Sequence, residues 1–292
     1  MSVAVNASSQ PSAAAERSGY LTRLGARIGE VGSALCLGID PDPRALPAGF
    51  PPDVTGIERF ATLILDACLE HAAAVKVNVA FFEAFGSAGI AALERVRARV
   101  PDEVVFIADA KRGDISSTVA RQAVALFDAL GADAITVNPY LGGDALEPFL
   151  ARNDRFAYVL CRTSNSGAAE FQDLAVDGAP LYLAVAHRVA DWSAAGAPVG
   201  LVVGATAPNE LGQVRAAAPG LPFLVPGLGA QGGDAGAVLA SGPATAAPGV
   251  GVRGGALLVN VSRGIASAAV GAADPEAAVA GAAELWARTL QC

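Results

Sequence analysis

Histidine is nearly absent from this chain, with two among 292 residues, His71 and His187. Both fall in helical patterns with no nucleophile beside them, so they read as surface or packing residues rather than catalytic ones. Cysteine is sparse as well. Cys36, Cys68, Cys161 and Cys292 show no C-x-x-C spacing, which argues against a zinc site or a disulfide framework. Cys36 and Cys161 lie in apolar strand-like runs, where a free thiol behaves as a small hydrophobe. A reducing cytoplasm is the expected compartment. Aromatic residues make up 6%, and Trp192 and Trp286 sit in helical patterns as packing residues. Charged residues are few, at 16%, and the balance is acidic, with a net charge of −8. A general nucleic-acid surface is thereby disfavoured, and an anionic small substrate would need locally placed cations. No run of about eighteen apolar residues suggests a membrane span. Residues 1–18 are rich in Ala and Ser but lack a basic start and an apolar h-region. They read as a flexible N-terminal extension, not a signal peptide.

What is abundant is Ala, Val and Leu, within a hydrophobic content of 53%. Short apolar runs at 34–39, 74–79, 104–108, 134–137, 157–161, 199–203, 223–225 and 256–259 read as buried strands. Helical patterns alternate with them at 57–71, 87–100, 118–130, 181–195, 208–218 and 232–239, and a last one follows at 274–288. A first helix at 20–31 could cover the bottom of a barrel or pack at its rim. Eight strands alternating with helices predict an α/β fold, a parallel (β/α)8 TIM barrel spanning 19–292 as a single domain. A doubly wound open sheet is the structural alternative. Residues 241–255, rich in Gly, Pro and Ala, read as an irregular, mobile loop.

The chain is organised around 104–118, VVFIADAKRGDISST. An apolar strand runs into Asp109, Lys111 and Asp114. At period two, Asp109 and Lys111 share a face. Gly113 is expected to turn the chain, and Asp114 to begin or precede a helix. Lys76, on the neighbouring strand, is expected beside Asp109, and alternating signs would keep all these groups charged. Charged clusters at strand ends are where barrel enzymes assemble chemistry, although a structural ion pair is the alternative for an arbitrary D-x-K. Asn78 lies two residues beyond Lys76 and could line the same pocket. A second constellation follows the last two strands. The loop 226–234, PGLGAQGGD, can bring backbone N–H groups to an anion and leads into a helix N-terminus. Ser262-Arg263-Gly264 follows the final strand, and Arg263 can fork onto phosphate oxygens. Loops after strands seven and eight are the usual barrel phosphate site.

These motifs resemble the orotidine 5′-phosphate decarboxylase family. The likeness rests on Asp109-x-Lys111-x-x-Asp114-Ile115-x-x-Thr118, Gly38-Ile39-Asp40, Lys76, Ser164-Asn165-Ser166-Gly167, PGLGAQGGD and Val261-Ser262-Arg263-Gly264. The stretches at 76–86 and 161–167 are similar to the longer bacterial subgroup. Two departures are visible: Ser116, where many members carry Gly or Pro, and a long segment at 241–255.

The resemblance implies conversion of orotidine 5′-monophosphate to uridine 5′-monophosphate and CO2, the last step of de novo UMP biosynthesis, with no metal and no cofactor. It implies Lys111 as proton donor to C6 and Asp109 beside the departing carboxylate. Asp40 and Lys76 would bind ribose hydroxyls, and Ser164 the pyrimidine edge. Gln231 would bridge the base or ribose side to the phosphate. Gly232, Ser262 and Arg263 would hold that phosphate, with Asn78 among the substrate-binding residues. Asp114 and Thr118 would reach into a partner subunit's site, making a homodimer. A magnesium-dependent sugar-phosphate decarboxylase or aldolase of the same superfamily is a rival. It would need a carboxylate where Lys76 stands, and an ammonium there repels Mg2+. A catalytically silent nucleotide-binding barrel is a second rival, but it has no need for four buried charges.

Overall fold

Eight short strands hydrogen-bond side by side until the last meets the first. They are β1 (Leu35–Ile39), β2 (Ala74–Asn78), β3 (Val105–Arg112), β4 (Ala134–Val137), β5 (Phe156–Arg162), β6 (Val199–Val203), β7 (Phe223–Pro226) and β8 (Leu257–Val261). All neighbouring pairs are parallel and the barrel is closed, because β1 pairs with β8 with Cys36 opposite Asn260. The open-sheet alternative is thereby set aside. The structure is a computed structural model and describes residues 19–229 and 232–292. The expected extension at 1–18 and Gln231 lie outside the described residues.

Strand alternation sorts side chains into two sets. Leu37, Ile39, Val75, Val77, Phe106, Ala108, Ile135, Val137 and Val259 belong to the large cluster shared with the surrounding helices. Cys36, Ala74, Val105, Ile107, Ala134, Phe156, Tyr158, Val202, Leu224 and Leu258 form a second cluster, which fills the barrel interior. The helix α1 (Tyr20–Val31) plugs the lower end of that interior. Its Tyr20, Leu24 and Ile28 recur at helical spacing and join the inner cluster. Tyr20 stacks on Phe156 with centroids 4.5 Å apart, and its hydroxyl meets that of Tyr158 at 3.0 Å. Of the two placements open for this helix, the structure has the one beneath the barrel.

Below the interior, Asp133 is 1% exposed. One carboxylate oxygen meets Arg23 of α1 at 2.6 Å, and the other accepts the Phe106 N–H at 2.9 Å. Arg97 and Arg155 each approach to 3.9 Å. These charges tie α1 to the strand starts.

Three expectations shift in detail. The helix after β7 spans Ala235–Ser241 rather than starting at residue 232. Gly232 has φ +77°, and Asp234 caps the helix by accepting from Gly236 and Ala237 N–H. The helix after β3 is α-helical over Ser116–Ala123 and continues as a π-helix over Val124–Ala129. Segment 241–255 is irregular, as expected, but fastened by backbone bonds from Ala244 N to Gly255 O, Thr245 N to Pro219 O and Gly249 N to Gly220 O. A small antiparallel hairpin, Ala175–Val176 with Ala179–Pro180, follows β5 and was not foreseen. Its Asp177-Gly178 turn has φ of +51° and +83°, a hairpin signal present in the sequence as a D-G pair.

Candidate active site

Above the apolar filling, the inward positions turn polar. Lys76 follows Ala74 on β2, Asp109 follows Ile107 on β3, Thr136 follows Ala134 on β4, and Asn260 follows Leu258 on β8. These four line a cavity of about 490 Å3 at the carboxyl ends of the strands, together with Asp40, Lys111, Ser164, Ser262 and Arg263. Leu160, Val202 and Leu224 supply its apolar wall. A larger groove of about 1400 Å3 lies at the opposite end, around Arg97, Asp128 and Arg155, away from this cluster.

Asp109 is the centre of the cluster, at 9% exposure. Its Oδ2 accepts from Lys76 Nζ at 2.7 Å, and its Oδ1 accepts from Lys111 Nζ at 2.6 Å and Thr136 Oγ1 at 2.8 Å. Asp40 stands 3.9 Å from Lys76 Nζ. Burial alone would raise the Asp109 pKa, but the ammonium groups of Lys76 and Lys111 outweigh it and hold the carboxyl far below the usual range. Burial likewise opposes the charge on Lys76, but Asp109 and Asp40 outweigh it and raise its pKa. A carboxylate gripped on both oxygens by cations is kept ionised in a place where an unpaired charge would be prohibitively costly. The buried thiols of Cys36 and Cys161 are pushed up to about 12 by burial, so neither is a nucleophile near neutral pH.

Lys111 reaches Asp109, but not through plain alternation. The β3–β4 register shifts between Ala108 and Arg112, and Lys111 has φ +47°. Gly113 lies in the connection from β3 to the helix at Ser116 and has a further use there. A Cβ there would come within 2.8 Å of Asn138 O, so glycine permits a close approach of the two strand ends. Asp114 precedes the helix, with Oδ1 accepting from Ile115 N at 2.7 Å. Neither Asp114 nor Thr118 lines this cavity. Asn78 sits at the end of β2, opposite Asp109, and accepts from Ala80 N at 3.2 Å instead of lining the cavity.

On the far wall, the β7 loop passes through Gly227, Gly229 and Gly232 with φ of +104°, +78° and +77°, a path that only glycine follows without strain. The helix N-terminus after it is occupied by the Asp234 carboxylate, so an anion would meet the loop and the β8 end rather than that helix. Gly232 is exposed and does not line the cavity. Arg263 opens the turn Arg263–Ala266, which Trp286 supports by donating Nε1–H to Gly264 O at 3.3 Å. Asp40 Oδ1, Asn260 Oδ1 and Ser262 Oγ are buried and have no hydrogen-bond partner among the described residues. All three residues face the cavity, which is the mark of a site built for a polar ligand. Ser164 sits on the turn after β5. Gln172 clamps that turn, accepting from Thr163 N at 2.9 Å and donating to Thr163 Oγ1 at 2.8 Å.

Thr136, Asn260 and Gln172 were not among the residues singled out in the sequence. For the first two the period-two pattern was a usable signal, since each lies two residues beyond an inward apolar position. Gln172 carries no local signal; only the fold brings it back to the β5 turn.

The closed parallel barrel and the charge cluster at its carboxyl end define a (β/α)8 enzyme. The sequence model of the orotidine 5′-phosphate decarboxylase / HUMPS family matches residues 33–282. The chain is 50% identical over 217 residues to the orotidine 5′-phosphate decarboxylase of Thermomicrobium roseum, covering 74% of this chain and 77% of that protein. It is 52% identical over 204 residues to that of a Roseiflexus species, covering 69% and 74%. Among solved structures it is similar to the OMP decarboxylase of Leishmania donovani, with a TM-score of 0.78, 39% identity, and coverage of 94% of this chain and 100% of that one. The chain belongs to the orotidine 5′-phosphate decarboxylase family of pyrimidine biosynthesis and is thus a carboxy-lyase.

Proposed function

We propose that the chain decarboxylates orotidine 5′-monophosphate to uridine 5′-monophosphate and CO2 without metal or cofactor, with Lys111 as the proton donor. The observation that carries this reading is the Lys76–Asp109–Lys111 row at the cavity mouth. Loss of CO2 breaks the bond between C6 and the carboxylate carbon and leaves its electron pair on C6. The ring π-system cannot absorb that pair, so the protein must stabilise it electrostatically. The Lys111 ammonium does so and then gives a proton to C6, forming the C–H bond of the product. The neutral amine regains its proton from water. Asp109 orients Lys111 and meets the departing carboxylate. The unpartnered acceptor oxygens of Asp40 and Asn260 suit ribose hydroxyls and the Ser262 hydroxyl can donate to phosphate, with Arg263 gripping the phosphate and Ser164 the base. Gln231 and Gly232 would complete the phosphate side. The reading requires no metal, since both Asp109 oxygens are already held by ammonium groups. The same observation disfavours the magnesium-dependent rival.

A homodimer in which Asp114 and Thr118 complete the partner's site belongs to the same proposal. It is supported by their position outside their own chain's cavity, with Ile115 next to Asp114 exposed at 62% and Tyr140 and Leu141, in the turn after β4, exposed at 83% and 47%. A cytoplasmic setting is supported by the free thiols of Cys36, Cys68, Cys161 and Cys292. No helix among the described residues is long and apolar enough to cross a membrane.

The deciding experiment follows the absorbance of orotidine 5′-monophosphate with purified protein, with and without EDTA. Rapid conversion unaffected by EDTA is the expected result; no conversion, or conversion lost with EDTA, would overturn the reading. The pH profile is a second check. With its pKa depressed in the folded protein, Asp109 gains a proton only as pH falls through that lowered value, well below the usual 3.9 or so. Lys76, raised, loses its proton only above about 10.4. The pair is therefore fully charged from about pH 4 to 10. The kcat/KM profile between about pH 5 and 9 should show no acid limb from Asp109. A limb that moves when Asp109 is replaced would contradict this assignment.

A further inference from the structure

Between the β3–β4 pairs Ala108 with Ile135 and Arg112 with Val137, three residues of β3 stand opposite one of β4. The three are Asp109, Ala110 and Lys111, and the one is Thr136. This bulge leaves Lys111 N–H without the backbone carbonyl that a regular ladder would offer. Its partner is instead the side-chain hydroxyl, with Lys111 N donating to Thr136 Oγ1 at 2.9 Å. A backbone N–H can only donate, so the hydroxyl accepts there and its own hydrogen is free to point elsewhere. It points at Asp109 Oδ1, 2.8 Å away, the same oxygen that accepts Lys111 Nζ at 2.6 Å.

We propose that Thr136 is a positioning residue for the decarboxylation, holding the backbone of Lys111 and the carboxylate of Asp109 in one geometry through a single hydroxyl. The inference rests on the functional reading above. A closed ring of bonds runs from Lys111 N to Thr136 Oγ1, to Asp109 Oδ1, to Lys111 Nζ. Each member limits the others. The ring also accounts for the left-handed backbone of Lys111, at φ +47°, which a long side chain rarely adopts unless its surroundings impose it. Thr136 is 1% exposed, so its hydroxyl is largely shielded from solvent. Its χ1 is stiff because it is β-branched. Serine in its place would keep the hydroxyl, and valine would keep the shape but neither bond.

The test compares Thr136→Val and Thr136→Ser with the unaltered protein, reading kcat, KM and the affinity for uridine 5′-monophosphate. Because a small misplacement of a reacting group costs rate, Thr136→Val is expected to lower kcat about 10- to 100-fold. Its affinity for the product should stay within about 3-fold, since the phosphate and base contacts lie elsewhere. Thr136→Ser should restore kcat to within about 3-fold of the unaltered protein. If Thr136→Val does not accumulate as folded protein, Thr136→Ala is read in the same way, with the same expected loss of kcat. An unaltered kcat, an equal loss of product affinity, or a serine variant as poor as valine would overturn the proposal. Turnover by the unaltered protein separates the two ideas. If it fails, the functional reading and this inference fall together; if it proceeds and valine is harmless, only this inference falls.

Discussion

Lys111→Ala is expected to reduce kcat by about 10^4-fold or more, while the protein still binds uridine 5′-monophosphate. Two contributions are lost together, the proton donor and the cation facing the developing charge on C6. Nothing nearby replaces them. Lys76 is 3% exposed and held on the other oxygen of Asp109, with Asp40 beyond it. Lys111 is the exposed member of the row, its side chain 49% accessible and turned to the cavity. The product carries no C6 carboxylate, so its affinity reports the ribose and phosphate contacts without the reaction. Arg263→Ala is the matching control. It sits across the cavity and should raise KM about 10- to 100-fold, the worth of a charge-assisted phosphate contact, with a smaller loss in kcat. Steady-state kinetics and a product titration distinguish the two variants. Equal losses of product affinity in both would contradict this division of roles.

Asp133→Ala should destabilise the fold by about 3–5 kcal/mol and leave the chemistry of the folded protein intact. This carboxylate pairs with Arg23 at 2.6 Å, with Arg97 and Arg155 close by, and their side chains are only 11%, 11% and 16% exposed. Removing it takes the carboxylate away from the buried Arg23 guanidinium and deprives Phe106 N–H of its acceptor. The loss should loosen α1 first, because the Arg23–Asp133 pair is one of the links from that helix to the strand starts. Urea unfolding measures the effect, and kcat of the folded protein measures its independence from the site. A stability change below about 1 kcal/mol would show that the cluster is solvated in solution and contributes as a surface pair does. Barrel enzymes separate the two demands in this way, with chemistry at the carboxyl ends of the strands and stability at the amino ends.

The barrel was legible in the chain because its strands are short apolar runs with little competing structure. Strands 134–137 and 199–203 match residue for residue, and the others differ by a few residues at most. Boundaries moved where a side chain intervened, as at Asp234, whose cap delays the helix to residue 235. The row Lys76, Asp109 and Lys111 was also legible, since period two and adjacent strands suffice to bring charges together. The route taken by Lys111 was not. Alternation placed it correctly for the wrong reason, because a bulge, not a regular strand, turns it toward Asp109.

By itself the sequence determined eight short apolar strands alternating with helices, a charged row at one strand end, and a glycine loop and Arg263 after the last two strands. Those features depend on local periodicity and on residue chemistry, which a linear chain displays. Only the tertiary structure decided that α1 closes the bottom, that Asp114 and Thr118 stand outside their own chain's cavity, that Gln172 braces the β5 turn, and that Thr136 closes the ring around Lys111. Each of these depends on contacts between residues far apart in the chain, or on a shift in register. Neither leaves a mark on the local pattern, because one hydroxyl two residues beyond an inward alanine looks the same whether it meets a carboxylate or a neighbouring methyl group.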